Sequence, residues 1–133
     1  MADARATVEA NIRLKRVYEP ASSDDGYRVL ATRYWPRGQP RSVTDEYLSK
    51  IAPSKRLIDQ YRKGPLGWDE FTRRYRDELT NPDSQRELER LGAIARSQPI
   101  TLMCMCPDNW DCHRTILRDA IMDAIEGGTK FVE

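Results

Sequence analysis

At 133 residues the chain has the size of one ordinary domain, long enough to bury roughly two-thirds of its unfolded surface without disulfides or metal. Hydrophobic residues make up 39% and charged residues 32%, which is polar for a globular protein but does not demand disorder. The 22 basic and 21 acidic residues leave a formal charge of +1, which argues against a globally basic nucleic-acid binder.

Residues 1–11 read as a loose, flexible lead-in, and 12–133 as a single domain. MADARATVEA lacks the apolar core of a secretory signal, and no apolar run approaches the roughly 20 residues that span a bilayer, so a cytoplasmic location away from membranes is expected. Ile12, Leu14, Val17 and Tyr18 suggest a first strand. The segment 21–26, Ala-Ser-Ser-Asp-Asp-Gly, supplies a loop. Tyr27 to Trp35 is rich in β-formers and reads as a second strand, closed by Pro36-Arg37-Gly38. The two strands can be antiparallel neighbours, although the loop allows other arrangements.

A helical middle follows. Ser42 or Thr44 can cap a short helix through Ile51, and Pro53-Ser54 can begin another through Tyr61. Trp68, Phe71, Tyr75 and Leu79 recur at helical spacing, so Trp68 to Thr80 is expected as an amphipathic helix that ends before Asn81-Pro82. Ser84 and Glu87 suggest a capping box for a further helix with the stripe Leu88, Leu91, Ile94 and Ala95. Ile100 to Cys106 is an apolar run broken by one threonine, as in a strand covered on both faces. A loop over 107–111 leads to a helix from about Cys112 to Glu126. Gly127-Gly128 should stop it, and 129–132 could add an edge strand. This order favours an α/β fold, a small three-layer Rossmann-like sandwich with a short, mostly parallel sheet and about five helices.

The three cysteines, an odd number, argue against a fully paired secreted framework. They cluster at 104, 106 and 112, beside the chain's one histidine, His113. In open α/β sheets ligands bind at strand carboxyl ends, next to the amino ends of the following helices. Cys112, His113 and Arg114 would fall in such a helix's first turn, where the helix dipole and neighbouring cations stabilise a thiolate and attract anions. On a helical projection His113 points toward the sheet.

Three readings of the cluster compete. One is a thiol site, with a cysteine as nucleophile or redox centre, His113 as base or acid, and Arg114 holding an anion. A second is metal binding by Cys104, Cys106, Cys112 and His113, although C-x-C-x5-C-H departs from zinc-knuckle spacing and adjacent ligands strain a tetrahedron. The third is packing: cysteine as a small buried residue, histidine bonded to a backbone carbonyl. The C-x5-R phosphatase loop is absent, since Cys106 to Arg114 is C-x7-R.

Gly26-Tyr27-Arg28-Val29-Leu30, then Arg33-Tyr34-Trp35-Pro36-Arg37-Gly38, resembles the YeaO-like proteins, the domain-of-unknown-function family numbered 488. Ala52-Pro53-Ser54 and Trp68-x-x-Phe71-x-x-x-Tyr75-x-x-Glu78-Leu79 are similar in order and spacing, as is the strand at Ile100-Thr101-Leu102. One branch of that family carries Cys-x-Glu followed by Cys-His-Arg, and Cys104, Cys112, His113 and Arg114 fall on those positions. Cys106 stands where that branch has an acid, Thr32 where an aspartate is common, and Tyr47 where a tryptophan is usual. The resemblance implies the fold and the site; the family's activity is not settled, though its cysteines have prompted suggestions of an enzyme.

Arg33 and Arg37 follow the second strand and would share a crevice with Arg114 if that strand lies beside and parallel to the cysteine strand, making a pocket for phosphate or carboxylate. The alternative is ordinary pairing with nearby acids, since arginine outnumbers lysine 17 to 5. The stripe Trp68, Phe71, Tyr75 reads as core, and interleaved acids cancel the basic run at Arg73-Arg74-Tyr75-Arg76 as a nucleic-acid patch. The expectation is therefore a thiol-centred site with Cys104, Cys112 and His113 as catalytic candidates and Arg33, Arg37 and Arg114 as anion-binding candidates. Its ligand would be a small anion, with no cofactor or resident metal assigned. The rival is a non-catalytic metal- or nucleic-acid-binding module.

Overall fold

Alternating and continuous apolar runs build a four-stranded sheet from β1 (Ile12–Arg16), β2 (Tyr27–Leu30), β3 (Glu46–Tyr47) and β4 (Ile100–Cys104). The computed structural model describes residues 4–105 and 113–131, with side chains over 6–105 and 113–125. The sheet order is β1-β4-β2-β3, and every pairing is parallel. The apolar run at 100–104 is therefore the central strand, buried at every residue. It lies between the two strands that the sequence allowed as antiparallel neighbours. Ile12 pairs with Ile100 on one side, and Tyr27 pairs with Ile100 on the other.

Among the described residues five helices accompany the sheet: α1 (Ala4–Asn11), α2 (Lys55–Arg62), α3 (Trp68–Glu78), α4 (Pro82–Ala95) and α5 (His113–Phe131). Their apolar faces share one core with Ile12, Val29, Ile100 and Leu102, including Val8, Leu57, Phe71, Leu91 and Leu117. Full burial of such a side chain contributes about 1.5–3 kcal/mol. On the opposite sheet face Val17, Leu30 and Met103 form a second core with Trp35, Val43, Tyr47 and Met105, which belong mostly to loop segments. The result is a small α/β sandwich of helices, sheet and loops. No helix among the described residues is long and apolar enough to cross a membrane.

Several elements differ from expectation. Residues 4–11 form α1 rather than a loose lead-in: the alanine-rich segment favours helix, Val8 is wholly buried, and the Asn11 side chain donates to the Ala95 carbonyl at 2.6 Å. Residues 41–51 form two 3₁₀ turns around β3, not a helix. There the backbone is captured by β2, with Asp45 N–H donating to Arg28 O at 3.0 Å and Leu48 N–H to Leu30 O at 2.9 Å. Arg90 of α4 secures this edge strand from the helical layer by pairing with Glu46 and Glu87.

β2 ends at Leu30 instead of reaching Trp35, because the Thr32 hydroxyl donates to the Tyr34 carbonyl at 2.7 Å and turns the chain. α4 begins at Pro82, ahead of Ser84. Asn81 caps it by accepting from Ser84 N–H at 2.9 Å, and a proline fits a first helical turn. α5 continues through Gly127 and Gly128 to Phe131, so the expected edge strand does not form over 129–131.

Gly26 sets the entry to β2. Its φ is +63°, and a Cβ there would lie 2.1 Å from the Pro99 carbonyl oxygen, the same oxygen that accepts from Tyr27 N–H at 3.0 Å. Only glycine combines that backbone conformation with so close an approach.

Candidate functional site

The carboxyl edge of the sheet gathers the chemistry. Cys104 ends β4, and its register partner on β1 is Arg16. On the other side Leu30 pairs with Met103, and the next residue, Ala31, donates its N–H to Met103 O at 3.0 Å. Strand alternation therefore sets Arg16, Cys104 and Ala31 at one level on the helix-facing side. Cys104 is a fully buried thiol.

His113 opens α5 and is 8% exposed. Its Nε2 lies 2.6 Å from the Ala31 carbonyl oxygen. A carbonyl only accepts, so Nε2 carries the proton. The ring stands nearly perpendicular to that of Tyr75, with centroids 5.8 Å apart and an interplanar angle of 81°. The Tyr75 hydroxyl in turn donates to the Ile51 carbonyl at 2.6 Å. His113 thus faces the sheet, as the helical projection anticipates, and makes the backbone-carbonyl bond that the packing reading describes.

The arginines divide. Arg33 donates from Nη2 to Ala52 O at 2.8 Å and from Nε to Pro53 O at 3.2 Å, tying the loop after β2 to the segment before α2. Arg37 is exposed in the turn that follows. Arg114, in the first turn of α5, is half-buried. β2 does lie beside and parallel to β4, the condition for Arg33 and Arg37 to share the site's edge of the sheet. Cys106 and Cys112 lie outside the described residues.

The remaining motif residues build the walls. Ser54 caps α2 by accepting from Leu57 N–H at 3.2 Å. Glu78 receives the Ser54 N–H at 2.9 Å and its hydroxyl at 2.6 Å. Trp35 donates from Nε1 to Gln39 O at 2.9 Å, while the Arg41 guanidinium sits 4.4 Å over its ring. Tyr47 meets Trp35 edge-on and donates to the Arg33 carbonyl at 3.1 Å. These bonds hold the 31–41 loop over the second core.

Sequence reasoning missed Arg16. It reads as an ordinary polar residue of an alternating strand, and only the sheet order sets it opposite Cys104. Among the described residues no three histidine, cysteine or acidic side chains gather as a metal site, and two of the four donors in the metal reading, Cys106 and Cys112, fall outside them. The Nε2 of His113 is engaged by the Ala31 carbonyl.

Known proteins share this sequence over most of its length. The model of the family DUF488-N3a, described as the active DUF488-N3 subclade, matches residues 12–124. The uncharacterised protein YeaO of Escherichia coli K12 is 36% identical over 111 residues, covering 82% of this chain and 95% of its own. The uncharacterised proteins Mb3100c of Mycobacterium bovis and Rv3073c of Mycobacterium tuberculosis are each 37% identical over 95 residues, 70% of this chain and 80% of theirs. No solved structure matches significantly.

Proposed function

The chain belongs to the DUF488-N3a family of YeaO-like proteins, and from that premise we propose that it carries a thiol-centred site for a small anionic ligand, a phosphate or a carboxylate. The observation that carries this reading is the His113–Ala31 hydrogen bond beside the end of β4, which fixes one imidazole tautomer at the same sheet level as Cys104. Thiols act as thiolates, and a nearby base and nearby cations favour that form. In this reading Cys104 is the reactive thiol, with Cys112 a second candidate. His113 is the proton shuttle. Arg114 and Arg37 bind the anion, and Arg33 contributes by holding the strand-end loop against residues 52 and 53.

Peptide-resolved alkylation with iodoacetamide tests it. Cys104 should be modified in the folded protein, more slowly in His113→Gln, and more slowly again with added inorganic phosphate or acetate. Modification only after unfolding, with no effect of either anion, would overturn the reading.

A further inference from the structure

Three successive backbone carbonyls, those of Ile51, Ala52 and Pro53, each accept a side-chain hydrogen bond from a distant part of the chain. The Tyr75 hydroxyl donates to Ile51 O at 2.6 Å, and Arg33 donates to Ala52 O at 2.8 Å and to Pro53 O at 3.2 Å. Both donors lead to His113. Tyr75 meets it ring to ring, with centroids 5.8 Å apart and planes at 81°. Arg33 lies just beyond Ala31, whose carbonyl oxygen is 2.6 Å from His113 Nε2. The contacts close a circuit from His113 through Ala31, Arg33 and residues 51–53 to Tyr75 and back.

Within that circuit Tyr75 does what the hydrogen bond alone leaves undone. The bond to Ala31 holds Nε2 in place, but the ring plane can still swing about it, since the terminal torsion of histidine is broad. A second ring packed across the imidazole removes that freedom, and an edge-to-face arrangement is a preferred one. Tyr75 is itself well fixed: it is 0% exposed, the Phe71 ring of the same helix lies 6.0 Å away, and the hydroxyl ties its far end to Ile51. Packing alone calls only for the ring, whereas the hydroxyl anchors that ring to the backbone segment that Arg33 also holds.

We propose that Tyr75 is the positioning residue of His113, fixing the imidazole plane in which the histidine serves Cys104. The chemical consequence rests on the thiol–anion reading; the contact between the two rings does not. Tyr75 acts through the histidine, so its effect on the thiol should vanish when the histidine is replaced.

Two measurements on the full chain test this. Histidine occurs once, so the imidazole N–H signal of a nitrogen-15 spectrum belongs to His113. Its exchange with solvent should quicken by about tenfold in Tyr75→Leu and by about threefold in Tyr75→Phe, which keeps the ring and loses the anchor. Dispersed backbone amide signals report that each variant is folded. Cys104 alkylation should slow by about two- to tenfold in Tyr75→Leu and largely recover in Tyr75→Phe. It should slow no further when Tyr75→Leu is added to His113→Gln. A purely structural role predicts the opposite sign, because a loosened core exposes a buried thiol faster. Ring exchange unchanged in a folded Tyr75→Leu, or in Tyr75→Phe where Tyr75→Leu does not fold, overturns the proposal. Equal slowing of alkylation with and without His113 overturns it too. Faster ring exchange beside a Cys104 that reacts only after unfolding keeps Tyr75 as the residue that positions His113 and removes the thiol reading. A Cys104 slowed by His113→Gln but not by Tyr75→Leu keeps the thiol reading and overturns the proposal.

Discussion

The Nε2–H of His113 donates to the carbonyl of Ala31 at 2.6 Å, so the first residue of α5 is bonded to the residue that follows β2, 82 positions earlier. His113→Ala removes the donor from a buried carbonyl and leaves the space of a ring against Tyr75. The expected loss is about 3 kcal/mol, read from urea denaturation. His113→Gln should recover part of it, because its amide can donate to the same oxygen. Failure of either variant to lose stability would show that this junction contributes little to the fold.

Tyr75→Phe is a narrower probe. The ring and its packing stay, and only the hydroxyl bonded to Ile51 O is lost. A buried carbonyl without a donor costs about 1–3 kcal/mol, and the same urea series should report a value in that range. Tyr75→Ala should cost more, because a cavity adds to the lost bond.

Asp25 predicts the acid limb of the stability curve. Burial by itself would raise its pKa, but the Ser22 backbone N–H and the Lys15 ammonium, 3.0 Å away, outweigh burial and hold the carboxyl below its ordinary value. Since the folded value is the lower one, the unfolded chain takes up the proton first. The contribution is complete above the unfolded value, about 4, and is lost as pH falls through the folded value. Asp25→Asn should therefore lower stability at neutral pH and flatten its fall below about pH 4. Unchanged slopes in pH-dependent denaturation would contradict this.

Two glycines separate backbone strain from steric clash. Gly26→Ala forces a Cβ to within 2.1 Å of a backbone oxygen at φ +63°, and a loss of at least about 3 kcal/mol is expected. Gly38 has φ +82°, but a methyl group there would enter open space, with nothing within 4 Å. Gly38→Ala should therefore cost only about 1–2 kcal/mol of backbone strain. Thermal melts of the two variants should differ in that order.

Much of the fold was legible because it rests on local pattern. The central strand is an apolar run, and α3 carries its aromatic stripe Trp68, Phe71, Tyr75 at helical spacing. Elements decided by distant partners were not legible. β3 is two residues held by the backbone of β2, and α1 has one deeply buried side chain among the described residues, Val8, whose value depends on the core it meets. Gly127-Gly128 marks a stop by propensity, yet α5 continues past it. At the candidate site the sheet-facing side of His113 followed from helical geometry. The position of Arg16 opposite Cys104 depended on strand order, which no single segment encodes.

That strand order also governs how the molecule comes into being. β1 and β2 are never neighbours, and the strand between them begins only at Ile100. During translation the flanking strands emerge with open edges facing a gap, and the missing filler follows three helices later. Long-range parallel pairing of this kind slows folding and leaves strand edges available to other chains. A nascent polypeptide halted before Ile100 would present two incompatible edges to its surroundings, and it would be a natural client for chaperones and proteases. Cys104 ends the strand that fills the gap, while His113 and Arg114 emerge later with α5, so the sheet is complete before the candidate site is.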